Sequence, residues 1–388
     1  MKKILIANDF LKGGGVENVL ENLVQYLLEQ NYEITLMIPN CTKQEIHEHL
    51  SSRVKVHPAM RALNRPKKRS LYWFFDRFLY SLQKQLFRFR FFLQQYDVLI
   101  ALKEGSIMRE LSGLYAKKKF AWIHTDYNFM HWTKKCFKSN ADERNCMKKF
   151  DKVVCVSKAV QASVIQTIGD PGNLCVKYNP INYKEIEKKS QASCWEQRPV
   201  DKPLFVSIGR LAYPKNYSLL IDVCNELVQK YSFEMWIVGD GPDRSALDAL
   251  IEKYHLDCVK LLGMKNNPFP YLAQADAFIS TSLCESYGLA IQEAFILGKP
   301  VIALKCPAIE ESFGEHFGLL TDANRHSLKS AIESVLSAPE TLGGYEASIK
   351  RLYKKEHLYD ARLFEIEKLW GNHDGKSTNR NTDLPYST

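Results

Sequence analysis

The sequence predicts an α/β protein with two doubly wound parallel sheets, one following the other along the chain. Three observations lead there. Short apolar runs alternate with longer amphipathic stretches, as expected where each strand is covered on both faces by helices. The alternation breaks once, at Asn179-Pro180-Ile181-Asn182, and then starts afresh. The length, 388 residues, suits two domains.

Residues 3–8 (KILIAN) read as the first strand, and Gly13-Gly14-Gly15 as the loop after it. A helix follows over 16–30, with Val16, Val19, Leu20, Leu23, Val24, Leu27 and Leu28 spaced at three and four. Residues 33–38, 97–102, 120–123 and 152–156 continue the strand series, and Ser157 is suited to cap the helix after the last of them. Residues 184–200 are polar, which ends a first domain at 1–182. In the second series 204–208, 234–238, 259–262, 277–281 and 301–304 read as strands, with helices at 217–230, 244–254 and 290–297. The second domain is therefore 183–370, and 371–388, without apolar periodicity, is expected to be a disordered tail. Open sheets of this kind bind ligands where the carboxyl ends of the strands face a cleft.

Hydrophobic residues at 45% and charged residues at 25% exclude a disordered tether, a fibre and a small disulfide-stapled scaffold. No stretch approaches ~18 uncharged apolar residues, so no spanning helix is expected. Asn8 and Asp9 cut short the apolar run after the basic start, which argues against a signal peptide. Ten cysteines without a C-x-x-C pair are expected to be reduced thiols. These features together predict a soluble, cytoplasmic protein.

The net charge of +9 is unevenly spread: residues 1–190 hold 32 Lys+Arg against 18 Asp+Glu, and residues 191–388 hold 21 against 26. Much of the excess sits in 61–92, where nine basic residues and ten aromatics accompany a single acid, Asp76. Trp73, Arg77 and Tyr80, and Phe74, Phe78 and Leu82, follow a helical spacing. A basic helix with a wide aromatic face suits an anionic membrane surface. An ordinary core-facing helix is the plainer alternative. Nucleic acid is not expected, since no helix-turn-helix or RNP motif accompanies the segment.

Four features at strand ends carry chemistry. The Gly14-Gly15 loop lets backbone amides approach a phosphate at a helix start, although such loops also serve turn geometry alone. Arg210 and Lys215, five residues apart after a strand, suit the two charges of a diphosphate, with surface ion pairing as the alternative. Glu285 and Glu293 flank a helix start in ESYGLAIQE. Eight helical residues rise about 12 Å, too far for a glycosidase-type acid/base pair but matched to the span from a sugar across a diphosphate to a ribose. His124 follows a strand of the first domain, whereas His131 falls in a loop; a lone histidine is more often structural.

The order and spacing of these features resemble the retaining glycosyltransferases of family four, up to about Trp370. The segment from Glu285 to Glu293 is similar to that family's E-x7-E signature and continues into Ala294 and Gly298-Lys299-Pro300-Val301-Ile302-Ala303. The resemblance implies the GT-B fold, with two Rossmann-like domains facing a cleft. The N-terminal domain would bind the acceptor and the C-terminal one a nucleoside-diphosphate sugar, expected to be UDP-linked. It further implies that Gly14, Gly15, Arg210 and Lys215 hold the donor diphosphate. Glu285 would hold the transferred sugar, with Ser286, Tyr287, Gly288 and Leu289 around the phosphate, and Glu293 the ribose. His124 would lie near the reacting sugar, Lys265 beside the base, and Gly239 in a loop near the donor. Tyr287 replaces the family's usual phenylalanine.

The expected reaction transfers a hexose or N-acetylhexosamine, with retention, to a glycan or polyprenyl-linked acceptor in surface-polysaccharide synthesis. Arg210, Lys215 and helix amides would stabilise the leaving diphosphate. No D-x-D motif is present, so neither metal nor other cofactor is expected. The basic 61–92 segment would hold the enzyme at the inner face of the plasma membrane. The alternatives are a nucleotide-sugar epimerase, a phosphorylase and a catalytically silent binding subunit.

Overall fold

The computed structural model describes residues 2–11, 14–38, 41–56, 95–314 and 316–371. Two segments on which sequence expectations were placed lie outside these residues: none of the basic aromatic segment 61–92 is described, and of the tail 371–388 only Gly371. Among the described residues the chain forms two compact units, one of residues 2–180 with 362–371 and one of 181–361.

The first unit is built on a parallel sheet of β1 (Lys3–Ala7), β2 (Glu33–Met37), β3 (Lys55–Val56), β4 (Val98–Ala101), β5 (Lys118–Ile123), β6 (Lys152–Cys155) and β7 (Leu174–Val176). Their order is β3-β2-β1-β4-β5-β6-β7. Ile4, Leu5 and Ile6 are fully buried in its middle. The order reverses between β1 and β4, and Ala7, Ala101 and Ala121 lie level across three neighbouring strands. The loops after β1, β4 and β5 therefore leave the sheet side by side, at the place where open α/β sheets bind ligands. The amphipathic helix α1 (Gly15–Glu29) buries Val19, Leu20, Leu23, Val24 and Leu27, as its spacing predicts. Ser157 does cap the helix after β6, accepting from the Val160 amide at 3.1 Å.

The second unit repeats the plan with β8 (Leu204–Ile208), β9 (Glu234–Val238), β10 (Val259–Gly263), β11 (Ala277–Ser280), β12 (Val301–Leu304) and β13 (Gly318–Thr321). The order is β10-β9-β8-β11-β12-β13, again parallel, with the reversal between β8 and β11. The loops after β8 and β11 carry Arg210, Lys215 and Glu285.

Three strands escape the sequence reading, namely β3, β7 and β13; each is short or only half-buried. The polar stretch after Asn182 also holds a helix, Tyr183–Ser190, capped by the Asn182 side chain on the Glu185 amide at 3.1 Å.

The domain boundary expected at 182/183 falls at Pro180/Ile181, and the chain from Arg362 packs on the first unit instead of the second. There Glu367 accepts hydrogen bonds from Tyr26 at 2.8 Å and Tyr32 at 2.5 Å. Arg362 donates to the Asn179 carbonyl at 2.8 Å, Lys2 donates to that of Trp370 at 3.0 Å, and the Trp370 ring sits 5.4 Å from Phe120. Burial lifts the Tyr32 hydroxyl far above its ordinary pKa, with Glu367 adding to the effect.

Candidate functional site

In the second unit the chain leaves β8 through Gly209-Arg210-Leu211 and closes a short 3-10 turn at Lys215. Thr281, just past β11, donates to the Lys215 carbonyl at 2.7 Å and ties the two loops together. The Lys215 ammonium then meets Glu285 at 2.5 Å, with side-chain exposures of only 24% and 17%. Burial works against the charged ammonium, but Glu285 together with Tyr217 and Cys306 outweighs it, so Lys215 titrates above the usual lysine value. Arg210 is different. Its guanidinium is exposed and, among the described residues, has no ion-pair or hydrogen-bond partner.

Beyond Glu285 the backbone turns through Gly288, whose φ of +76° belongs to the left-handed region that favours glycine. The helix α10 (Leu289–Ile296) starts there. Its first inward donors, Ile291 and Gln292, both bond the Gly288 carbonyl, at 3.0 and 3.2 Å. The amides of Leu289 and Ala290 are left at the open end, where the helix dipole favours an anion. Glu285 lies before the helix, so the rise of about 12 Å expected for eight helical residues does not describe the pair. Glu293 sits one turn into α10. Burial pushes its carboxyl up to about 7, with Lys215 pulling the other way. Lys215 thus acts electrostatically on both glutamates.

Gly239 follows β9 with φ +147°, and a Cβ there would stand 1.9 Å from the Gly209 carbonyl oxygen. A Cβ on Gly241 would stand 2.2 Å from that of Leu211. These glycines let the two loops touch backbone to backbone, which fixes the course of the Arg210 loop. Lys265, placed by sequence beside the base, has its side chain engaged: it lies 3.3 Å from Glu196 and 5.1 Å from the Tyr271 ring centre. Burial lowers its pKa, but Tyr271 and Glu196 outweigh that and leave it raised.

In the first unit Gly14 caps α1 with an extended φ of −174°, which any residue adopts. A Cβ on it would come 3.1 Å from Glu17 Oε2, so the nearest anion to this helix start is the protein's own buried carboxylate. Gly15 is the first residue of α1.

His124 leaves β5 with its backbone N–H bonded to Glu104 at 3.0 Å. Its Nε2 is buried with no hydrogen-bond partner among the described residues. Burial lowers its pKa, and Glu104 opposes that only in part, so the ring is neutral at pH 7. Glu104, 1% exposed, escaped the sequence reading. It also accepts from Thr125 at 2.5 Å and the Trp132 indole at 3.2 Å. No local spacing marks it: the residues it joins are 20 to 28 positions away. His131, the rival histidine, is held by the fully buried Glu143 at 2.7 Å, alongside Tyr127 at 2.8 Å and Thr133 at 2.7 Å. Its ring is thereby committed to a structural knot.

Among the described residues no group of three or more His, Cys, Asp or Glu side chains is placed to hold a metal ion. All ten cysteines are free thiols.

Two Rossmann-like parallel sheets define a protein of GT-B architecture. The Anabaena protein HepE, solved with UDP and glucose, shares this fold at a TM-score of 0.71 and 18% identity, over 95% of this chain and 99% of that one. Residues 13–185 match the family described as Glycosyltransferase Family 4, and residues 192–351 that described as Glycosyl transferases group 1. The chain belongs to the family-four glycosyltransferases. It is 25% identical to a subunit of the human phosphatidylinositol N-acetylglucosaminyltransferase over 86% of its own length and 68% of the relative's. Identity is 26% to the Campylobacter jejuni N-acetylgalactosamine-N,N'-diacetylbacillosaminyl-diphospho-undecaprenol 4-alpha-N-acetylgalactosaminyltransferase, over 57% of this chain and 58% of that enzyme.

Proposed function

We propose that this chain transfers a sugar from a UDP-linked donor to a glycan or lipid-linked glycan acceptor in cell-surface polysaccharide synthesis. The observation that carries the reading is the Lys215–Glu285 pair at 2.5 Å, with the open start of α10 a few residues beyond Glu285 in the chain and an unpaired Arg210 on the loop that carries Lys215. A diphosphate brings the charge that Arg210 and the free amides of Leu289 and Ala290 lack. The names of the relatives supply the rest: one acts on a diphospho-undecaprenol glycan, another on phosphatidylinositol. Neither of these relatives is an epimerase.

In this reading Lys215 and Arg210 neutralise the leaving diphosphate, and Glu285 accepts hydrogen bonds from the hydroxyls of the transferred sugar. Glu293 takes those of the ribose, and the backbone beyond Gly263 meets the base, since the Lys265 side chain is already engaged. Gly239 acts by setting the Arg210 loop, and Gly14 and Gly15 approach the diphosphate through backbone. Neutral His124 is assigned to the neighbourhood of the reacting sugar, as the family resemblance implies. The two cations do the work that a metal does elsewhere, so transfer proceeds without one; retention at the anomeric carbon is what the family resemblance implies. Among the described residues no helix is long and apolar enough to cross a membrane. Attachment to the inner face of the plasma membrane would rest on the basic segment 61–92.

Incubation with UDP-sugars and a polyprenyl-diphosphate glycan, with and without EDTA, tests this. An axial anomeric product from an axially linked donor, at an unchanged rate in EDTA, is expected. Inversion, or activity lost in EDTA and restored by Mg²⁺, would contradict it.

A further inference from the structure

Glu104 is a buried carboxylate at the sheet's switch point that the proposed reaction leaves unused. It ends the loop after β4, next to the strand that delivers His124, and is 1% exposed. Burying a carboxylate is costly unless donors surround it. Here three converge: the His124 amide at 3.0 Å, the Thr125 hydroxyl at 2.5 Å and the Trp132 indole N–H at 3.2 Å. The indole N–H also lies 3.2 Å from Thr125 Oγ1, which closes the network.

The backbone beside it is shaped to the same end. Gly105 has φ +85°, and a Cβ there would stand 2.6 Å from the Trp132 ring. The tryptophan therefore lies directly on the glycine that follows Glu104, and only a glycine admits both the torsion and the contact. Lys103, on the other side, rests 5.9 Å from the Trp132 ring centre and 3.8 Å from Asp9. A carboxylate, an indole and a hydroxyl thus grip the one turn of chain that carries the His124 ring.

We propose that Glu104 is a positioning residue that fixes the backbone of His124 and with it the placement of the imidazole ring. The inference rests on the assignment of His124 to the reacting sugar. Glu104 touches no substrate in this scheme: it acts through the His124 amide and, by its charge, on the imidazole. The charged groups bearing on that ring are Glu104 and Lys103 from the loop after β4, and Asp9 from the loop after β1 interacts with both. The carboxylate favours the protonated ring, so neutralising it leaves His124 neutral to still lower pH.

The test uses the full chain with Glu104→Gln, Thr125→Val and His124→Ala, assayed for kcat, donor KM and the pH dependence of kcat, with UDP-induced thermal stabilisation as the check on folding. Glu104→Gln should lower kcat by about tenfold or more, leave donor KM unchanged and move the acid limb of kcat to lower pH. Thr125→Val removes one donor without touching the charge, and should lower kcat with donor KM and the acid limb unchanged. Should Glu104→Gln fail to fold, the Thr125→Val result decides, and wild-type kcat in it would overturn the proposal. Wild-type kcat and acid limb in a folded Glu104→Gln, with His124→Ala impaired, would equally overturn it. Full activity in His124→Ala would instead remove the assignment of His124 on which the proposal stands, a result separate from the Glu104 measurement.

Discussion

Replacing Glu293 by glutamine should make the protein more stable while impairing donor binding. In the folded chain burial lifts this carboxyl to about 7, from an ordinary 4.5, despite the pull of Lys215. The sign follows from proton counts. Between pH 4.5 and 7 the unfolded chain has released the proton and the folded chain has kept it, so stability falls as pH rises through that window. Above the window the deficit is constant. At about 1.36 kcal/mol per pKa unit the full cost is roughly 3 kcal/mol, and partial exposure of the side chain brings it to about 1–3 kcal/mol. For a domain of this size that corresponds to roughly 3–10 °C in Tm. Thermal melts of wild type and Glu293→Gln between pH 4.5 and 8 check it. The two should melt together at the acid end and diverge up to pH 7, with the variant higher. A difference that does not change with pH, or a less stable variant at pH 8, would refute the argument that burial strains this carboxyl.

Three further outcomes follow from other parts of the molecule. Arg210→Ala and Lys215→Met should each slow sugar transfer on the order of 10²–10³-fold; a rate within threefold of wild type in steady-state assays would count against their role. Gly239→Ala sets a methyl group 1.9 Å from a backbone oxygen, closer than any side-chain adjustment relieves. It should cost about 2–3 kcal/mol, read as a lower midpoint in urea, and an unchanged midpoint would show that the two loops can part freely. Neutralising Arg65, Lys67, Lys68 and Arg69 to glutamine removes about 1 kcal/mol of anionic-surface attraction per charge, so the variant should stay at the bottom of a liposome flotation gradient. Equal flotation of both proteins would argue against that segment as the anchor.

What could be read in advance was whatever is encoded locally. Strand–helix alternation found both sheets because buried parallel strands are apolar throughout, as in residues 4–6 and 235–237. The Arg210, Lys215 and Glu285 loops were legible because each follows directly from a strand. What was missed depends on residues far apart in sequence. Glu367 closes on Tyr26 and Tyr32, more than 330 positions earlier, so periodicity left the C-terminal segment with the wrong unit. Glu104 sits in an unremarkable Lys-Glu-Gly, and its meaning comes only when β4 and β5 align. At Gly14 the torsion is one that any residue adopts, so it is not backbone conformation that calls for a glycine there.

The most direct measurement is calorimetric titration of UDP and of UMP into the wild type and into an Arg210→Ala/Lys215→Met double variant. If the second phosphate is gripped by these two cations and the start of α10, UDP should bind wild type far more tightly than UMP, and the gap should all but close in the double variant. An undiminished preference for UDP after both cations are gone would contradict the account.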